Sequence, residues 1–426
     1  MNIDIGSDTE GSVEFDDSND DRDEILLPDR EDDREESDDD LRDLNADHSF
    51  HNAELPTLHL YLGKDLMKLN SPTDLLENVV YMNLPLLPRG QFILFPGQIL
   101  PLKVFQRDIH IAHMVQMVTR THHLVGVAYD FDNMTTGVIA EIFECDSESL
   151  KARGTKRFKV LREIVEDGYA SADVKILPDV NLDPALFAQR LTSLDHLRVA
   201  TNTKEDLDKR EKLDRLDAVM SLWPHWVYKQ YDALRLTLQL RKLLESFYLK
   251  DCPPIIPDPV VPTDPVELSF WVAQNILVDH ADKMDIFNSD CVIDRLRKDI
   301  EFLIPYHYFV CRNCGVFIAD LSGLFPISKD GPQGIYVNGY GNIYEVLTLL
   351  DVRGLTLSTM PASTVCTWFP GYGWIIAKCE ICGTQIGWKF VAVDKSFALK
   401  TFWALACNSL KVSKISKNNG LMISKN

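Results

Sequence analysis

Two Cys-x-x-Cys pairs constrain this chain more than any other feature: Cys311-Arg312-Asn313-Cys314 and Cys379-Glu380-Ile381-Cys382. Two residues between thiolates let one tight turn present both sulfurs to a single ion. Two such turns complete a tetrahedral four-sulfur shell for zinc. Four protein ligands leave no open coordination position, so the metal of such a site holds structure and does no chemistry. The 64 residues between the pairs are too many for a simple zinc ribbon. A whole β-sheet is expected between the turns, with zinc pinning its two ends together. Gly315 and Gly383, directly after the pairs, suit the backbone reversal there. A redox dithiol stands alone near a βαβ pattern, and none is visible. A RING-type site needs eight ligands, and only four cluster here. The expected cofactor is therefore one structural Zn2+ on Cys311, Cys314, Cys379 and Cys382.

At 426 residues the chain has room for two or three domains, each able to bury a core. Its net charge of −20 is unevenly spread. Residues 1–54 hold 22 Asp and Glu against 4 Arg, while the other 372 residues hold 42 acids against 40 Lys and Arg. The acidity belongs to a tail that buries too little apolar surface to offset its ordering entropy, so residues 1–54 read as disordered. No basic face stands out, which gives a nucleic-acid partner little support. The start Met-Asn-Ile-Asp lacks the basic and apolar regions of a signal peptide. No run of 18 apolar residues occurs, so no membrane span is expected. Nine cysteines without a secretory signal point to metal rather than disulfides, and to a cytoplasmic and nuclear location.

Local patterns divide the rest. Residues 78–180 read as β-rich. Gln91 to Leu102 look like two apolar strands around Pro96-Gly97, and 108–120 can carry an apolar helical stripe. Arg157–Leu161 and Ala172–Leu177 alternate as strands, with Asp167-Gly168 as a turn between them. Residues 184–304 read as helical. Leu240, Leu243, Leu244 and Phe247 share one face, as do Val292, Leu296, Ile300 and Leu303. Thr263-Asp264-Pro265 marks a helix start, and Pro253–Pro265 a loop or linker. Residues 306–406 return to β character, as in Gly334-Ile335-Tyr336-Val337. Residues 407–426 are polar, and 411–426 read as a frayed end.

Three tryptophans lie near the second cysteine pair: Trp368 and Trp374 in Trp-Phe-Pro-Gly-Tyr-Gly-Trp, and Trp388 in Gly-Trp-Lys-Phe. The Pro370-Gly371 turn lets Trp368 and Trp374 face each other. Trp388 and Phe390, two apart on a strand, point to one face. Such walls bind a small flat or cationic group, with polar backbone at the rim. The plainer alternative is that these aromatics are core.

These residues, in this order, resemble the cereblon family. The resemblance covers roughly residues 55–406. It rests on Trp368-Phe369-Pro370-Gly371-Tyr372, Trp374 and Ile386-Gly387-Trp388-Lys389-Phe390 beside the cysteine pairs. It also rests on Leu84-Pro85-Leu86-Leu87-Pro88, Phe95-Pro96-Gly97, Leu100-Pro101-Leu102 and Arg157-Phe158-Lys159-Val160, which are similar to the Lon N-terminal domain. Trp223-Pro224-His225-Trp226-Val227-Tyr228 and Tyr231-Asp232-Ala233 match in the helical part. The resemblance implies an α+β multidomain fold. A β-rich Lon N-terminal-like domain (78–306) would carry an inserted helical bundle (184–304). A zinc-pinned all-β domain of the β-tent or CULT type (306–410) would follow.

The implied function is substrate recognition for a cullin-4 RING E3 ubiquitin ligase. The helical insert would bind the ligase's DNA-damage-binding adaptor, with cullin-4 and the RING subunit joined indirectly. The zinc domain would bind thalidomide-like ligands and C-terminal cyclic imides on substrate proteins. Trp368, Trp374 and Trp388 would form three walls and Phe390 the floor. Backbone around Cys366 and Trp368 would hydrogen-bond the imide, and Asn338 would lie on the lid strand. Cys366 stands where the family has His, and Asn338-Gly339-Tyr340 where it has Asn-Pro-His. No phosphate loop or peptidase half accompanies the Lon-like part, so the chain is expected not to be an enzyme. Two alternatives remain: a reductase of the methionine sulfoxide reductase B type, using Cys366 or Cys407, and an aromatic-cage reader of methylated lysine.

Overall fold

A computed structural model describes residues 52–414 apart from 64–65, 70–78, 88–91, 106–108, 121, 132–133, 167–168, 185, 188–191, 198–203, 249–259, 305–306 and 395–396. The acidic stretch through residue 51, the Asp167-Gly168 turn, the proline-rich stretch up to residue 259 and residues 415–426 lie outside the described residues. Residues 52–54 do not continue a tail: Ala53 is buried, and its carbonyl accepts from Lys329 N–H.

The first sheet contains β1 (Met67–Lys68), β2 (Val80–Leu87), β3 (Ile99–Lys103), β4 (Leu124–Phe131), β5 (Met134–Cys145), β6 (Ser149–Glu166) and β7 (Tyr169–Ile176). Their order is β1-β5-β4-β2-β7-β6-β3, and β5 also pairs with β6. That extra pairing closes five strands into a ring, which leaves few open edges. The helix α1 (Ile109–Arg120) covers it with Met114, Val115 and Val118. One expected strand is absent. Phe92–Phe95 is buried but irregular, because side chains take its backbone bonds. Leu94 N–H donates to the Tyr129 hydroxyl (2.7 Å) and Phe95 N–H to Gln98 Oε1 (3.2 Å).

Six helices follow: α2 (Lys204–Val219), α3 (His225–Lys229), α4 (Ala233–Tyr248), α5 (Pro265–Asn275), α6 (His280–Asn288) and α7 (Val292–Leu303). Helix α5 begins where the sequence predicts. Asp264 Oδ1 accepts from the N–H groups of Val266 (2.9 Å) and Glu267 (3.0 Å), and Pro265 occupies the first turn. The last nine strands are β8 (His307–Cys311), β9 (Phe317–Asp320), β10 (Gln333–Val337), β11 (Ile343–Leu349), β12 (Leu355–Leu357), β13 (Tyr372–Cys379), β14 (Gln385–Ala392), β15 (Thr401–Ala406) and β16 (Leu410–Lys414). They form a six-stranded sheet, β10-β11-β15-β14-β13-β12, and a three-stranded sheet, β16-β8-β9. Residues 411–414, expected to be frayed, pair with β8 from Lys411↔Val310 to Lys414↔His307. Among the described residues, no helix is long and apolar enough to cross a membrane.

The helices α5–α7 lie between the sheets. Leu268, Leu296 and Ile300 share a core with Leu240 and Leu244 of α4 and with Phe309, Ile318, Leu347 and Leu405 of the zinc-side strands. Phe270, Met284 and Phe287 belong instead to the core of the first sheet. A buried ionic cluster secures this junction. Arg157 of β6 and Arg295 of α7 are both fully buried, and both reach Asp179, at 2.8 Å and 3.1 Å. Their guanidinium groups also lie over the Phe270 ring, at 5.6 Å and 4.2 Å. Burying two cations is unfavourable unless the shared carboxylate stays in place. Asp179→Ala is therefore expected to destabilise the protein by about 3–5 kcal/mol. Urea denaturation of the wild type and the variant measures this.

Candidate functional site: the four-sulfur centre and the tryptophan cluster

Cys311 ends β8 and Cys379 ends β13, so the two cysteine turns sit at the junction of the two zinc-side sheets. Both turns use the same backbone bonds. Gly315 N–H donates to Cys311 C=O and Cys311 N–H to Val316 C=O. Gly383 N–H donates to Cys379 C=O and Cys379 N–H to Thr384 C=O. Gly315 (φ 75°) and Gly383 (φ 72°) take left-handed conformations that L side chains resist. The four sulfurs lie within 4.8 Å of one another, with 3.5 Å between Cys314 and Cys379 and 3.7 Å between Cys311 and Cys382. A tetrahedral ion with Zn–S bonds of about 2.3 Å needs sulfurs roughly 3.8 Å apart. The donor set and its spacing fit zinc. The Thr384 hydroxyl lies 3.3 Å from Cys382 Sγ, beside the four-sulfur cluster.

The Cys379–Cys382 turn is also the hairpin turn between β13 and β14. Beyond a register shift between Ala377 and Lys378, the pairing sets Trp374 opposite Phe390 and Ile376 opposite Trp388. Trp374, Trp388 and Phe390 therefore share one face of the sheet. Trp368 arrives from the preceding loop, which Thr367 closes by donating its hydroxyl to Tyr372 C=O (2.7 Å). Trp368 and Trp388 meet edge to face, with centroids 4.7 Å apart. Phe390 lies beneath, 6.4 Å from Trp368 and 4.7 Å from Phe369. Trp374 is half-buried and makes no ring contact with the other two tryptophans among the described residues. It packs against the same aromatic cluster. Its Nε1 donates to Val365 C=O (2.9 Å), which tethers the 363–367 segment beside it.

Sequence reasoning passed over two members of this cluster, Tyr336 and Tyr344. Tyr336 stacks on Trp368 (5.3 Å, 22°), and Tyr344 meets Trp388 edge to face (5.0 Å). Their signal was the aromatic placement on β10 and β11, which carried no meaning until β10 was known to pass over the cluster. Trp368 Nε1 donates to Val337 C=O (3.0 Å), joining the two segments. Asn338 lies one residue beyond β10, in its turn to β11, rather than on the strand. Its Oδ1 accepts from Tyr340 N–H (3.0 Å) and Asn342 N–H (2.9 Å), which shapes that turn. The turn reaches the cluster: a Cβ on Gly339 would stand 3.7 Å from Cys366 Sγ.

Cys366 is exposed and adopts a left-handed φ of 50°. The backbone N–H and C=O groups of Cys366 and of Trp368 make no hydrogen bond among the described residues. Two indole N–H groups are thus already occupied by protein carbonyls, while a backbone donor–acceptor edge beside them is open. Cys407, by contrast, is buried, and burial pushes its thiol well above the ordinary range. That is opposite to what a nucleophilic cysteine needs.

Comparison with known proteins matches two successive parts of the chain. A family described as the ATP-dependent protease La (LON) substrate-binding domain matches residues 83–304. A family described as Yippee zinc-binding/DNA-binding /Mis18, centromere assembly, matches residues 307–424. Protein cereblon of Danio rerio is 32% identical over 414 residues, covering 90% of this chain and 94% of that protein. Protein cereblon of Gallus gallus is 31% identical over 378 residues, covering 84% and 83%. This chain belongs to the cereblon family. It joins a Lon N-terminal-like part to a Yippee-type zinc-binding part. The zinc-binding match and the four-cysteine cluster agree on one structural zinc. In this cereblon family member, metal analysis is expected to return one zinc per chain. A strong chelator should release it with loss of the near-ultraviolet tryptophan signal, because zinc binding here is folding energy. Cys314→Ser should lower zinc occupancy and lose the same signal without chelator.

Proposed function

We propose that this protein is the substrate-recognition subunit of a cullin-4 RING ubiquitin ligase, and that its tryptophan cluster receives cyclic imides. The ligands would be C-terminal imides on proteins, or thalidomide-like molecules. Membership of the cereblon family supports the receptor role. The observation that carries the ligand reading is the unpaired backbone edge of Cys366 and Trp368 beside Trp374, Trp388 and Phe390. A cyclic imide has two carbonyls flanking one N–H on a flat apolar ring. Backbone groups can satisfy that edge while indoles cover the ring. A ligand that leaves the edge unpaired forfeits about 1–3 kcal/mol, which gives selectivity. We assign residues 306–410 to this function and the Lon N-terminal-like part, 78–306, to positioning and ligase attachment.

Attachment would use the first helices. Val219, Met220, Leu222, Trp223 and Trp226, at and just beyond the end of α2 and in α3, are all more than half exposed. Large apolar side chains clustered on a surface mark an interaction site, and tryptophans dominate such interfaces. An ionic network links these helices. Glu211 of α2 binds Lys229 of α3 and Arg235 of α4, and the hydrogen bonds from Lys229 and Arg215 lower its carboxyl to about 2.

Two experiments test the proposal. Glutarimide titrated into the protein should quench tryptophan fluorescence saturably, and Trp374→Ala should weaken binding roughly thirtyfold or more, as for an aromatic hot spot of about 2 kcal/mol. Unchanged affinity in that variant would refute the cage. Trp223→Ala combined with Trp226→Ala should abolish recovery of the DNA-damage-binding adaptor from cell extracts while glutarimide affinity stays at the wild-type value. Recovery equal to wild type would remove the helices from the attachment role.

A further inference from the structure

We propose that the rim of the tryptophan cluster selects the residue that precedes the imide: the preferred substrates are polypeptides whose C-terminal cyclic imide follows a large, uncharged, apolar residue. This rests on the imide reading above and adds to it the chemistry of the neighbouring residue.

Two segments frame the rim. One is the turn from β10 to β11, and the other runs from β12 to β13. They meet where a Cβ on Gly339 would stand 3.7 Å from Cys366 Sγ. The second segment is laid along β13. Ser358 N–H donates to Ile376 C=O (2.9 Å), Ser363 N–H to Trp374 C=O (3.0 Å) and Trp374 N–H to Ser363 C=O (2.8 Å). The Trp374 indole also holds Val365 C=O, so Val365 and Cys366 are fixed beside the open backbone edge.

Neither segment carries a charge. Residues 331–344 and 354–377 contain no Asp, Glu, Lys, Arg or His, in a chain that is 25% charged. What they present to solvent is apolar: Tyr340 is 75% exposed, Met360 71% and Val365 70%. Large apolar side chains gathered at one exposed place mark an interaction surface. The polar side chains among them serve the local backbone. Asn338 Oδ1 accepts from Tyr340 N–H, Ser358 Oγ from Met360 N–H and Ser363 Oγ from Val365 N–H.

The chemistry of the ligand brings its neighbour to this rim. In a C-terminal cyclic imide, the amide nitrogen of the chain is bonded to the ring carbon next to one carbonyl. With the polar edge of the imide on the Cys366 and Trp368 backbone, the polypeptide leaves on that same side, over Val365 and past the Asn338–Asn342 turn. A charged side chain there would shed water and find no opposite charge on either segment, which is unfavourable. A phenyl or isobutyl group would cover Val365 and Tyr340 and gain from the burial.

The test joins 3-aminoglutarimide through its amine to acetyl-Phe, acetyl-Asp or acetyl-Lys. Each probe is titrated into the full chain by tryptophan fluorescence, and its affinity is expressed relative to free glutarimide on the same protein. The Phe probe should bind roughly tenfold more tightly than the Asp and Lys probes, as for partial burial of one large apolar side chain. Tyr340→Ala should reduce that preference severalfold, and Val365→Lys should raise the relative affinity of the Asp probe severalfold. Binding of free glutarimide together with equal relative affinities for the three probes would overturn this inference and leave the imide reading standing. So would a Phe preference that neither Tyr340→Ala nor Val365→Lys changes. Failure of free glutarimide to bind at all would overturn the imide reading and this inference with it.

Discussion

Four sulfurs within 4.8 Å of one another tie the C-terminal strands of this molecule together. They join the end of β8 in one sheet to the hairpin of β13 and β14 in another. A structural metal there adds a constraint between the two sheets beyond their packing. The β13–β14 register sets Trp374 opposite Phe390. A one-residue slip on either strand would turn Trp374 or Trp388 to the opposite face.

The rest of the molecule supports that arrangement in layers. Helices α5–α7 contribute side chains to the cores on both sides, so the two matched halves pack as one body between residues 92 and 410. The shared Asp179 and the Phe270 ring between two arginines give this junction a defined geometry, not only apolar area. Strand β10 then carries the junction to the tryptophans. Its Gln333 is bound by Asn275 of α5, its Tyr336 stacks on Trp368, and Val337 accepts from the Trp368 indole. One short strand thus contacts a helix at one end and the aromatic cluster at the other.

Much of this was legible in the amino-acid sequence because it depends on local chemistry. The zinc ligands were evident from two Cys-x-x-Cys spacings. The start of α5 was evident from Asp264-Pro265, and the buried faces of α4 and α7 from the periodicity of Leu240, Leu244, Leu296 and Ile300. Trp388 and Phe390 were placed on one face by strand alternation alone. The misses share a cause. Phe92–Phe95 looked like a strand, but the Tyr129 hydroxyl and Gln98 took its backbone bonds. Residues 411–414 looked frayed, but the edge of β8 was waiting for them. Asn338 was expected on a strand, and its own carboxamide closed a turn instead. In each case a partner distant in sequence, or a side chain competing for backbone groups, outweighed the local pattern.

By itself, the sequence determined the metal, its four ligands, the succession of a β-rich, a helical and a second β-rich part, and the aromatic residues near the second cysteine turn. These follow from spacing and periodicity, which act over a few residues. Only the tertiary structure decided that Tyr336 and Tyr344 join the tryptophans, that Cys407 is buried, and that α5–α7 pack against both matched parts. These depend on which surfaces meet across long stretches of chain, and no short-range rule carries that information.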